Sequence, residues 1–82
     1  MIVRNVPGIH ARPAALLVQR ASLFRAELFL ATRDLTVNAK SIMGVMMLAA
    51  ETGTELAIRG EGVDEREAVE ALRQLVESGF GE

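Results

Sequence analysis

The sequence predicts an α+β domain of two layers, a mixed sheet covered by helices on one side. Three observations carry that prediction. Segments with strand patterning alternate with segments whose apolar residues recur at three- and four-residue spacing. Two strand-like runs are separated only by Arg33-Asp34, a connection short enough for a hairpin, so antiparallel pairing enters the alternating order. With 82 residues, half of them apolar, and no linker rich in Pro, Gly or Ser, the chain fits one domain over residues 1–82 with one core.

The predicted order is strand, helix, strand, strand, helix, strand, helix. Residues 1–6 are β-prone and end at the turn dipeptide Pro7-Gly8. From Pro13 onward Ala14, Leu17, Val18 and Ala21 fall on one helical face, and the predicted helix ends near Phe24. Pro13 is tolerated in the first turn because the N–H it lacks would have no partner there. Residues 27–32 and 35–38 are the hairpin strands, although Arg-Asp is a poor pair for a primed turn. A second helix covers residues 41–50, with the Ser41 hydroxyl placed to accept from a free N–H of the next turn and Gly53 placed to stop it. Residues 54–60 alternate Leu56 and Ile58 against Ala57 and Arg59, as a half-buried strand does, and Gly60-Glu61-Gly62 ends the run. Asp64 and Glu67 stand at capping-box spacing ahead of a last helix with Ala68, Ala71, Leu72 and Leu75 on its apolar face, and Gly79 stops it.

Composition removes several function classes. Without cysteine there is no disulfide or thiol chemistry, and with one histidine the ordinary zinc patterns are missing, so neither a metal nor a cofactor is expected. The longest apolar stretch, in the second helix, falls far short of the ~20 residues of a membrane span. Met1-Ile2-Val3-Arg4-Asn5 lacks the basic-then-apolar pattern of a leader, which makes a cytoplasmic location the expectation. Eight of the nine basic residues are scattered arginines and the net charge is −2, so binding to nucleic acid is not expected. Nothing calls for more than a monomer.

The only histidine lies in Gly8-Ile9-His10-Ala11-Arg12-Pro13-Ala14, immediately before the first helical pattern. A helix N-terminus presents unpaired N–H groups and a partial positive charge, which would stabilise an anion on a neighbouring side chain. Arg12 adds a planar cation whose forked donors suit phosphate oxygens. His10 is thus a candidate phosphoryl acceptor, to be weighed against an ordinary polar surface residue.

Together with Asn38-Ala39-Lys40-Ser41-Ile42-Met43-Gly44-Val45-Met46, at this separation in a chain of this size, that segment resembles HPr, the histidine-containing phosphocarrier family of the bacterial sugar phosphotransferase system. The resemblance covers almost the whole chain. It implies an open-faced sandwich in which a four-stranded antiparallel sheet carries three helices on one face, in the order β-α-β-β-α-β-α. It also implies that the protein takes a phosphoryl group from phosphorylated enzyme I and passes it to the sugar-specific second components. By this similarity His10 is the phosphoacceptor through Nδ1 and Arg12 the cation that steadies the phosphate. Such a protein is a phosphoryl-transfer intermediate and not a self-contained enzyme. An imidazole is partly neutral near pH 7 and so offers a nucleophilic nitrogen. Gly8, by allowing an unusual backbone, and Pro13, by fixing the helix start, would hold the loop in shape.

Ser41 matches the regulatory serine that an HPr kinase/phosphorylase modifies in some members, with a catabolite-control regulator as reader. The plain alternative is an N-cap, which stabilises a helix by ~1 kcal/mol without any regulation. The two are compatible, since a phosphate there meets the same N–H groups. Ile42, Met43, Met46 and Met47 are too many apolar side chains for one short helix to bury, so some must face outward. The resemblance implies that Ile42, Met43 and Met46 dock enzyme I and the sugar-specific components, a role that methionine's adaptability suits, whereas Val45 and Leu48 are expected in the core. Arg20 is a further expected partner contact near the site, with simple solvation as its alternative.

Two positions depart from the family pattern. Met47 stands where relatives often carry a small hydroxyl residue, and Pro7 where a serine often precedes the glycine. Two alternatives to the sugar-transport carrier remain. One is a regulatory paralogue, in a nitrogen-type phosphorelay or in catabolite control. The other is an α+β interaction domain without phosphoryl chemistry.

Overall fold

His10 starts the first helix with its backbone: its carbonyl accepts the Ala14 N–H at 2.8 Å. In this computed structural model, which describes residues 1–4 and 8–81, the helix α1 therefore spans Ala11–Ala21, beginning ahead of Pro13 and ending ahead of the expected Phe24. Pro13 keeps its place in the first turn, where a missing N–H leaves no bond unmade. At the other end Ser22 donates to the Val18 carbonyl, while Leu23 and Phe24 donate to Arg20 and Ala21 three residues back. The helical periodicity thus runs past Ala21 into tighter turns of the 3₁₀ kind.

Three strands follow the expected order: β1 (Glu27–Ala31), β2 (Thr36–Asn38) and β3 (Ala57–Glu61). They form the sheet β2-β1-β3 with both pairings antiparallel, so the sheet is not mixed as the alternating pattern suggested. The hairpin is present, closed by the Thr32 N–H on the Leu35 carbonyl at 2.8 Å. In central β1, Leu28 and Leu30 are buried, and Phe29 points to the opposite face, where the Arg59 guanidinium lies 4.6 Å from its ring centroid.

The expected fourth strand is corrected by the structure. Among the described residues the N-terminal stretch makes only an isolated antiparallel bridge, Ile2 to Glu55, with hydrogen bonds from Leu56 N–H to Met1 and from Val3 N–H to Thr54. The physical reason lies in the opposite segment. A turn intervenes there, Thr54 N–H closing onto the Glu51 carbonyl with Gly53 at φ +92°, and the bridge beyond it, Gly8 to Glu51, is out of register with the first. A continuous ladder cannot cross that turn. Asn5, Val6 and Pro7, and with them the end of the expected strand and the Pro7 departure, lie outside the described residues.

The second helix, α2, covers Ile42–Met47 and stops before residue 50. Ala49 takes the left-handed φ of +50° that ends it, so Gly53 serves the next turn instead of the helix stop. The third helix, α3 (Glu65–Glu77), starts after Asp64, but the expected capping box does not form. The Asp64 carboxylate accepts from the backbone N–H groups of Arg25 (2.9 Å) and Ala26 (2.8 Å), tying the helix start to the entry of β1, and Glu65 accepts from Gly62 N–H. Gly79, at φ +73°, follows the end of α3 as expected. The short 3₁₀ turn Gly79–Gly81 then turns Phe80 into the core at 3% exposure, which the sequence pattern did not reveal.

The core sits between the helices and one face of the sheet. Leu17 of α1, Val45 of α2, Leu28 and Leu30 of β1 and Leu72 of α3 are fully buried and meet there. Burying each such side chain stabilises the fold by roughly 1.5–3 kcal/mol.

Candidate functional site

The imidazole sits where the chain changes from extended to helical. His10 is the N-cap residue of α1, with φ −124° and ψ −149°, and its side chain makes no capping hydrogen bond. Its backbone does the structural work while the ring is on the exposed surface. No acidic residue occupies the first turn, and Arg12, also exposed, is the cation there. The first turn of α1 thus offers two positive contributions, the helix N-terminus and the Arg12 guanidinium.

The residues before His10 are held from another part of the chain. Ile9 N–H donates to the Ala50 carbonyl at 2.7 Å, and Gly8 bridges Glu51. Gly8 is buried at φ +119°, and a Cβ there would lie 2.5 Å from the Ala50 oxygen and 2.7 Å from Glu51 Cα. Only glycine allows both that φ and that approach. Residues 50–51 thus hold the backbone that leads into His10 against the segment that follows α2. Sequence reasoning missed them, and the one available signal was Gly8, a residue suited to close backbone contact.

At the other end of α2, Ser41 is the N-cap and its Oγ accepts the Gly44 N–H at 3.1 Å. The turn leading into it is fixed by Asn38 Oδ1, which accepts from Lys40 N–H at 2.8 Å, and by Lys40 Nζ, which donates to the Phe24 carbonyl at 2.7 Å. A Cβ on Gly44 would stand 3.3 Å from Val37 Cβ, so α2 lies close on β2 at this point. Val45 and Leu48 point inward, whereas Ile42, Met43, Met46 and Met47 are exposed. The α1 and α2 helices pack on each other.

Arg20 is placed differently from the expectation. It lies in the last turn of α1, about 15 Å along the helix axis from His10 by the α-helical rise, beside Leu16, Leu23 and Leu75 in a shallow groove. That separation corrects its assignment to the neighbourhood of the imidazole. Among the described residues no cluster of three or more His, Cys, Asp or Glu side chains could hold a metal, and no helix is long and apolar enough to cross a membrane.

A family model described as "PTS HPr component phosphorylation site" matches residues 1–78. The chain is 50% identical over 82 residues to "Phosphocarrier protein HPr" of Xylella fastidiosa (strain 9a5c), covering all of this chain and 92% of that one. It is 51% identical over 75 residues to "HPr-like protein Crh" of Bacillus subtilis (strain 168), covering 92% and 88% respectively. Among solved structures, HPr-C-His from Thermoanaerobacter tengcongensis superimposes with a TM-score of 0.95 at 48% identity, over 100% of this chain and 92% of that one.

Proposed function

The chain belongs to the HPr family, the phosphocarriers of the phosphotransferase system, and from that premise we propose that His10 is its phosphoryl acceptor, with Arg12 steadying the phosphate. The observation that carries the assignment is the exposed imidazole at the N-cap of α1, whose backbone alone starts the helix. A ring nitrogen of His10 attacks the phosphorus carried by phosphorylated enzyme I, the new N–P bond forming as the bond to the donor breaks. The reverse geometry hands the group to a sugar-specific second component. Exposure suits both steps, because each partner must approach in line with the bond being broken. Gly8 and Pro13 shape the loop, and Ile42, Met43 and Met46 form the apolar surface on which partners dock. The domain is consumed and regenerated in each cycle, a carrier and not a catalyst in its own right, acting in the cytoplasm.

Incubation with enzyme I and labelled phosphoenolpyruvate tests the assignment. Acid-labile, base-stable phosphate is expected on His10, with phosphorus NMR identifying the ring nitrogen, and a protein that takes up no such label sinks it.

A regulatory role is favoured by one further observation, the Ser41 hydroxyl at the edge of the exposed α2 face, together with the similarity to Crh. Phosphorylation of Ser41 by an HPr kinase/phosphorylase would set roughly −1.5 to −2 charges beside that face and alter docking, with a catabolite-control regulator as the alternative partner. Incubation with such a kinase and ATP, followed by peptide mapping, decides it: an unmodified Ser41 rules the regulatory role out.

A further inference from the structure

Three of the four methionines lie on α2, at positions 43, 46 and 47. Their spacing puts them on neighbouring positions of one helical surface. They are 74%, 43% and 65% exposed, while Val45 between them is fully buried and anchors the helix. The chain contains no cysteine, so no thiol competes for an oxidant and the thioethers are its most readily oxidised groups.

We propose that the Met43, Met46 and Met47 thioethers are a peroxide-sensitive modification site, and that their oxidation to sulfoxides turns off partner docking on α2. The chemistry is balanced by the peroxide itself. A thioether sulfur attacks one peroxide oxygen, the O–O bond breaks, an S–O bond forms and the second oxygen leaves as water; sulfur loses two electrons and the peroxide gains them. A methionine sulfoxide reductase, drawing two electrons from a dithiol, reverses the change and releases the oxygen as water. Each sulfoxide replaces an apolar, adaptable contact with a polar, chiral one, which a Met-rich docking surface does not tolerate. The fold has little to lose, because α2 is anchored by Val45 and capped by Ser41 and not by these side chains.

The effect on docking rests on the proposed role of the α2 face, and the experiment separates the two. The intact protein is treated with dilute hydrogen peroxide and the sulfoxides are mapped by mass spectrometry. Phosphoryl acceptance from phosphorylated enzyme I is then measured on treated and untreated samples alongside thermal unfolding. Oxidation at Met43 and Met47 ahead of Met1 is expected, with the KM for the phosphorylated donor raised about tenfold, the loss of an interface anchor. The unfolding temperature is expected to stay unchanged and the KM to return after reductase treatment. In a variant carrying Met43→Leu, Met46→Leu and Met47→Leu, peroxide is expected to leave KM as it was before treatment. Sulfoxides on α2 with unaltered KM, or oxidation confined to Met1, overturn the proposal. An untreated protein that accepts no phosphoryl group overturns the phosphocarrier assignment itself and the docking switch with it.

Discussion

The Ile9 N–H is bonded to the Ala50 carbonyl at 2.7 Å, so the residue before the imidazole is positioned by the segment that follows α2. A change at the adjacent Gly8 reaches the site through this contact. Gly8→Ala places a Cβ 2.5 Å from the Ala50 oxygen at a φ of +119°. The expected outcome is a loss of about 1–3 kcal/mol in chemical denaturation and slower phosphorylation of His10, read from a labelled-phosphate time course.

His10→Ala is expected to abolish acid-labile phosphate while leaving the unfolding midpoint nearly unchanged, because the ring is exposed and the helix start uses the backbone carbonyl. Arg12→Ala is expected to retain phosphate uptake at a rate lowered about tenfold, the scale of one charge-assisted contact. Rapid-quench measurements on both variants check these outcomes.

Ser41 can be tested as a cap and as a charge site separately. Ser41→Ala removes the acceptor for Gly44 N–H and should cost about 1 kcal/mol in urea unfolding. Ser41→Asp supplies another good capping oxygen and should restore that stability. Its added negative charge should still weaken partner association, measured by calorimetry, in a salt-dependent way.

Asp64 makes stability depend on acid. Its carboxyl is held below its ordinary value, first by the hydrogen bond from Arg25 N–H, which outweighs the opposing effect of desolvation, and further by the Ala26 N–H, its own N–H and the charge of Lys40. A carboxylate with a depressed folded-state value contributes stability that is fully present above the usual carboxylate range and is lost as pH falls through the folded value. Asp64→Asn should therefore lower the unfolding temperature at neutral pH, and the gap from the parent protein should close at pH values below the carboxylate range. Thermal melts across pH 2 to 7, roughly the span of carboxylate titration, measure this.

Leu72 and Leu17 are fully buried on facing helices. Each truncated singly to alanine should lose about 2–5 kcal/mol by leaving a cavity in the shared core. Denaturant midpoints report the loss. Exposed Leu23→Ala should change stability by less than about 0.5 kcal/mol, as surface substitutions do.

What was legible in the sequence depended on distance along the chain. The apolar faces of α1 and α3, the hairpin and the alternation through Leu56 and Ile58 are local patterns, and each appears in the structure within a few residues. The outward turn of Met43 and Met46 followed from simple crowding on a short helix. The misses share a different cause. Asp64 gives its oxygens to Arg25 and Ala26, far away in sequence, so no local rule could prefer them over a capping box. Ala49 adopts a left-handed φ that favours glycine, and the chain turns again at Gly53, which breaks the pairing a fourth strand would need. The seat for Gly8 on residues 50–51 is likewise a product of tertiary packing.

The division of labour within His10, carbonyl to the helix and ring to the surface, bears on energetics. On the proposed assignment, loading and unloading the imidazole would break no hydrogen bond of the scaffold, so transfer would require no refolding. The scaffold would then add no energetic bias of its own to either direction of transfer.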